Sequence, residues 1–133
     1  MRKIAIALAT AAALLAGPSL EARSRLTPQQ ELDKLTAGRV PGQPVHCLSN
    51  FQTREMRVLD KTAIVYGWGN TIWVNVPRNA QDLDDDNIVV TRSSSSELCD
   101  LDIVTTVDRS AGMFNGTISL GQFVPYRRVA STR

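Results

Sequence analysis

His46 is the only histidine in the chain and stands directly beside Cys47. Imidazole and thiolate are both metal ligands, but a zinc site needs about four donors at set spacing, and no CxxC motif is present. Two adjacent donors chelate poorly, so no metal and no cofactor is expected. The same imidazole is the only ring base available to activate a serine. The tract Ser93-Ser94-Ser95-Ser96 supplies hydroxyls, yet no GxSxG elbow surrounds it. Hydrolysis would require His46 and a serine or aspartate to converge in space. A small hydrolase built on His46 is therefore the alternative reading of function, and no catalytic residue is assigned.

Asp82, Asp84 and Asp86 alternate like the first three ligands of a calcium loop. An EF-hand then requires a glycine and a later glutamate, where this chain has Asn87 and Ser93. The run reads as a solvated acidic loop. Asn115-Gly116-Thr117 matches the N-glycosylation pattern, but it follows a bacterial-type leader and is read as a turn. Aromatic side chains offer a different chemistry, a large contact area at low entropic cost. Tyr66, Trp68 and Trp73 are the candidate binding face.

The element that positions them is a hairpin over residues 62–76, two β-branched and aromatic runs around Gly69-Asn70. Glycine tolerates positive φ, so the pair suits a two-residue turn. Tyr66 then faces Trp73, Val65 faces Val74 and Ala63 faces Val76. Alternation puts Ala63, Val65, Ile72, Val74 and Val76 on one face, and Ile64, Tyr66, Trp68, Trp73 and Asn75 on the other. A four-residue loop over 67–70 keeps these faces; a three-residue loop scrambles them. The aliphatic face is core. The aromatic face is a second packed layer or a surface.

Further strands are expected over residues 55–59, 88–92, 103–107 and 117–126, with Gly121 marking a bulge. Pro77 ends the hairpin because it cannot donate to a ladder. Residues 97–102 read as one helical turn carrying Cys99. Thr27, Pro28 and Gln30 form a helix start with a capping box, and Gly38 suits the position after the helix end. Two prolines and a glycine follow within residues 39–44, so residues 23–45 read as a loosely attached arm. Residues 46–127 are the β domain and 128–133 a tail. The fold class is mainly β: one small antiparallel sheet of about six strands, curled into a barrel or roll.

Met1-Arg2-Lys3 precedes an apolar run over residues 4–16, too short to span a bilayer, and Leu20-Glu21-Ala22 is a tolerable cleavage site. Residues 1–22 read as a signal peptide cleaved near Ala22, giving a periplasmic or secreted protein with no membrane span in its mature form. About 110 residues remain, enough for one domain. Loss of Arg2, Lys3 and Glu21 lowers the formal charge from +2 to +1. Nucleic acid is not expected as a partner, since phosphate binding needs a clustered basic surface. The one basic cluster, Arg127-Arg128 with Arg133, reads as a solvated tail. In an oxidising compartment a disulfide is the natural state of the two cysteines, Cys47 and Cys99.

The order of short motifs resembles a family of small exported bacterial proteins of unknown function from Gram-negative species. The resemblance rests on Cys47-Leu48, Val58-Leu59-Asp60, the threonine-led strand and glycine turn over residues 62–70, Trp73-Val74-Asn75, Leu98-Cys99, Asp102-Ile103-Val104 and the closing stretch from Leu120 to Tyr126. Family members often carry two more cysteines, at the positions of Ala80 and Ile118. Their joint loss here implies that those two pair with each other, leaving Cys47 with Cys99. The resemblance implies no activity. The expected function is an exported, non-enzymatic binding or structural module, with a protein or a cell-envelope ligand as its partner.

Overall fold

The computed structural model describes residues 24–130; the leader expected over residues 1–22, and Arg133, lie outside the described residues. The described residues are mainly β, with one short α-helix and antiparallel sheets. The helix α1 spans Pro28–Thr36. The strands are β1 Arg39–Pro41, β2 Cys47–Ser49, β3 Met56–Leu59, β4 Ala63–Tyr66, β5 Thr71–Asn75, β6 Asn87–Arg92, β7 Glu97–Cys99, β8 Ile103–Asp108, β9 Phe114–Ser119 and β10 Phe123–Arg128. They form three sheets: a five-stranded one ordered β1-β10-β5-β4-β3, a three-stranded one ordered β6-β8-β9, and the two-stranded ribbon β2-β7.

Among the described residues no closed barrel forms, and the single curled sheet expected from the sequence is corrected to these three. The reason lies at Gly121. The stretch read as one last strand is two strands of different sheets, β9 and β10, joined through residues 120–122. A Cβ at Gly121 would stand 2.5 Å from the Val76 carbonyl oxygen, so only glycine lets the backbones approach here. Asn75 clamps the crossing, its amide donating to the Gly121 oxygen at 2.6 Å and accepting from the Gly121 N–H at 3.0 Å.

The hairpin β4–β5 has the expected register: Tyr66 opposite Trp73, Val65 opposite Val74. This is the register of the two-residue turn at Gly69-Asn70; residues 67–70 join the strands, with Gly67 and Gly69 at φ of 80° and 81°. Both faces of the hairpin are covered. Ala63, Val65, Ile72 and Val74 pack with Leu59 beneath Leu32 and Leu35 of α1. Val76, just past the strand end, is exposed. Ile64 and Tyr66 join Phe123, Leu48, Leu98, Val104 and Ile118 in the larger core between the sheets. Two covered faces explain why all four residues of β4 are buried.

Thr27 caps α1 with the expected capping box, and Gly38 has a φ of 69°. The arm is not loose, however. Helix α1 covers one sheet face, Arg57 of β3 pairs with Glu31 at 2.8 Å, and β1 is hydrogen-bonded along β10. Apolar anchors at Leu32 and Leu35 suffice because the sheet supplies the rest of the contact surface. Two further expectations are corrected. Residues 97–102 hold strand β7 and a turn instead of a helical turn, since β2 offers Cys99 a ladder partner. Asn115-Gly116-Thr117 lies within β9, with Gly116 opposite Thr106.

Candidate functional site

The ribbon β2–β7 pairs residues far apart in the chain. Cys47 stands opposite Cys99, Leu48 opposite Leu98 and Ser49 opposite Glu97. The Sγ atoms of Cys47 and Cys99 are 2.06 Å apart, at disulfide distance, across a sequence separation of 52. Leu48 and Leu98 anchor the ribbon in the core. Two loops leave its end side by side, since the Asn50 N–H donates to the Ser96 carbonyl at 3.2 Å. One loop is residues 50–54 and the other is the serine tract.

Loop 50–54 is held by its own side chains. Gln52 Oε1 accepts from the Ser49 N–H at 2.8 Å, and the Thr53 hydroxyl donates to the Asn50 carbonyl at 3.2 Å. This folding presents Phe51 outward, 75% exposed, with the Arg54 guanidinium 5.2 Å above its ring centre. Phe51 and Arg54 line a cleft of about 470 Å3 together with Trp68 and Trp73 of the hairpin. Trp68, at the hairpin loop, is 80% exposed, while Trp73 is half-buried and packs against the larger core. Gly67 must be glycine, because a Cβ there would meet the Trp73 ring at 3.0 Å. Glu55 and Asn70 add polar groups to the rim.

Trp68 and Trp73 of the expected aromatic face therefore meet in one cleft, and Tyr66 does not join them. Tyr66 turns inward, its ring edge-on to Phe123 at 5.7 Å. Its hydroxyl is buried with no hydrogen-bond partner among the described residues, and this burial pushes the phenol pKa up. Tyr66 lines a second cleft, of about 480 Å3, with Asn50, Thr53, Arg54, Ser93 and Ser95. Sequence reasoning missed Phe51 and Arg54. Their signal was a lone aromatic in a polar loop, three residues before an arginine.

The other candidates come apart. His46 Nδ1 lies 2.8 Å from Asp100 Oδ2, with the imidazole exposed and the carboxylate nearly covered. The remaining neighbour of the ring is the Gln122 amide nitrogen, 3.3 Å from Nε2. No serine is bonded to His46 among the described residues. The serine hydroxyls point to each other's turn instead, Ser93 and Ser95 both donating to the Glu97 carbonyl. The aspartates that gather are Asp60, Asp84 and Asp85, not the alternating set of Asp82, Asp84 and Asp86. Arg128 is part of β10 and stands opposite Arg39. Burial, and then the charge of Arg128, lower the Arg39 pKa. Among the described residues no helix is long and apolar enough to cross a membrane.

No protein-family model matches the chain, and neither does any curated protein or solved structure.

Proposed function

We propose that this protein is an exported binding module, not an enzyme, whose ligand seats in the cleft formed by Phe51, Trp68 and Trp73. The observation that carries this reading is the outward display of two large rings, Phe51 at 75% and Trp68 at 80% exposure, from two different elements that line one cleft. Exposed aromatic surface costs solvation and contributes little to a folded monomer; where it is concentrated, it marks interaction. Export is supported by the leader-like residues 1–22 and by the cysteine pair at disulfide distance. The alternative, a hydrolase, draws support from the His46–Asp100 pair, which is two-thirds of a catalytic triad. It lacks the nucleophile, and Gln122 sits where one would be needed.

The test is a thermal-shift panel of oligosaccharides, peptides, fatty acids and nucleotides on the wild type and on the Phe51→Ala/Trp68→Ala double variant. Both replaced side chains are exposed, so each change should alter stability by no more than about 0.5 kcal/mol. At least one class should raise the wild-type Tm without being consumed and leave the double variant unmoved. A flat response across the panel refutes the module, and turnover abolished by His46→Ala would establish the hydrolase.

A further inference from the structure

The reading of the aromatic cleft as a binding site says nothing about the ligand's chemistry, but the cleft beside it does. Arg54 lines both clefts, and loop 50–54 contributes to each, so they form one surface with an aromatic end and a hydroxyl end. At the hydroxyl end the protons are already committed. The Thr53 hydroxyl donates to the Asn50 carbonyl, and those of Ser93 and Ser95 donate to the Glu97 carbonyl. These oxygens therefore meet a ligand as acceptors. The donors left over are the Tyr66 hydroxyl, buried without a partner, the Asn50 amide and Thr91 hydroxyl, which also line this cleft, and the Arg54 guanidinium, which forms no ion pair or hydrogen bond among the described residues and lies over Phe51.

A ligand that fills this end must donate into serine and threonine oxygens and accept from a phenol and a guanidinium. A carboxylate, or the ionised phosphate of a phosphate ester, has only acceptors at neutral pH and fails the first requirement. A polyol meets both, since each hydroxyl donates one proton and accepts through two lone pairs. The aromatic end makes the matching demand. A pyranose ring carries an apolar C–H face suited to stacking on Trp68 or Phe51. Its rim of adjacent hydroxyls suits planar groups such as Arg54, Glu55 and Asn70. One cationic and one anionic group in the same cleft favour an uncharged ligand over an ion.

We infer that the two clefts are neighbouring subsites for an uncharged oligosaccharide, one sugar stacking on the aromatic walls and the next hydrogen-bonding to Tyr66 and the loop hydroxyls. This rests on the aromatic cleft being a binding site. It adds that the unpartnered Tyr66 hydroxyl is part of that site.

Calorimetric titration with cellotetraose, chitotetraose and maltotetraose tests it, each up to about 10 mM, the range of a weak single-site contact. Three variants are compared: Trp68→Ala, Tyr66→Phe and Thr53→Ala. At least one tetrasaccharide should bind the wild type. Trp68→Ala should weaken it by roughly 10-fold or more, as expected for loss of a stacking anchor. Tyr66→Phe, which keeps the ring, should weaken the tetrasaccharide by roughly 3- to 10-fold, the size of one hydrogen bond. Failure of all three sugars to bind overturns the inference, as does binding that neither Tyr66→Phe nor Thr53→Ala weakens. A peptide or fatty acid that shifts the wild-type Tm while these sugars do not bind would sink the sugar assignment alone and leave the binding module standing.

Discussion

The hairpin β4–β5 and the ribbon β2–β7 are both two-stranded and antiparallel, yet they are held by opposite means. The hairpin's strands are joined by four residues and buried on both faces, under α1 on one side and the facing sheet on the other. Closing so short a loop costs little entropy, and burial more than offsets it. The ribbon joins three-residue strands across a separation of 52 residues, with one buried pair, Leu48 and Leu98. A ladder that short does not hold itself together, and the cysteine pair supplies what burial lacks. The proposed site draws on both: loop 50–54 and the serine tract leave the ribbon, while the hairpin contributes Trp68 and Trp73.

Three changes test this contrast, in order of expected size. Replacing both cysteines by alanine should cost about 4 kcal/mol, the entropy of freeing a loop of roughly fifty residues in the unfolded chain. Measured by urea unfolding, it should be accompanied by faster amide exchange at Leu48 and Leu98 while Val65 and Val74 stay protected. Equal loss of protection in both elements would show that the ribbon is not the dependent one. Next, Ile64→Ala opens a cavity where the hairpin is wholly buried and should cost about 3 kcal/mol. Here the hairpin and the ribbon should lose protection together, because Ile64 shares its core with Leu48 and Leu98.

Smallest is Tyr66→Phe, where the two elements meet. Removing an unpartnered buried hydroxyl should stabilise the free protein by about 1 kcal/mol, against the loss in sugar binding. The sign of its pH dependence is fixed by burial, which raises the folded pKa of Tyr66 above the unfolded value. The folded state then holds its proton more tightly than the unfolded chain does. Stability is full below about pH 10, the ordinary phenol value, and falls as pH rises through the folded pKa. Chemical unfolding at alkaline pH should show a steeper decline for the wild type than for Tyr66→Phe. Parallel declines would mean that the hydroxyl is not buried in solution.

What was legible in the sequence divides along the same line. The hairpin register and the capping box at Thr27 are local patterns, fixed by alternation, turn and cap chemistry within a few residues. The ribbon was not legible, because Cys99 becomes a strand residue only when β2, far earlier in the chain, lies beside it. The same holds for the break at Gly121, whose reason is the approach of Val76 and Asn75, and for β1, whose ladder partner is nearly ninety residues downstream. The aromatic cleft fell between these cases. Its hairpin wall could be read from the sequence, but the Phe51 and Arg54 wall depends on where the ribbon carries loop 50–54.

The Asn75 clamp on Gly121 bears on how the molecule comes apart. A chain that crosses between two sheets in three residues cannot let one sheet peel away while the other stays intact, unless that crossing stretches. Asn75 is wholly buried in the middle layer, and both hydrogen bonds of its amide fall on the crossing glycine. The sheets are thereby riveted at one point, and melting of either removes the rivet from the other. The five-stranded and three-stranded sheets should therefore unfold in one cooperative step, while the ribbon, which the clamp does not touch, can open ahead of them.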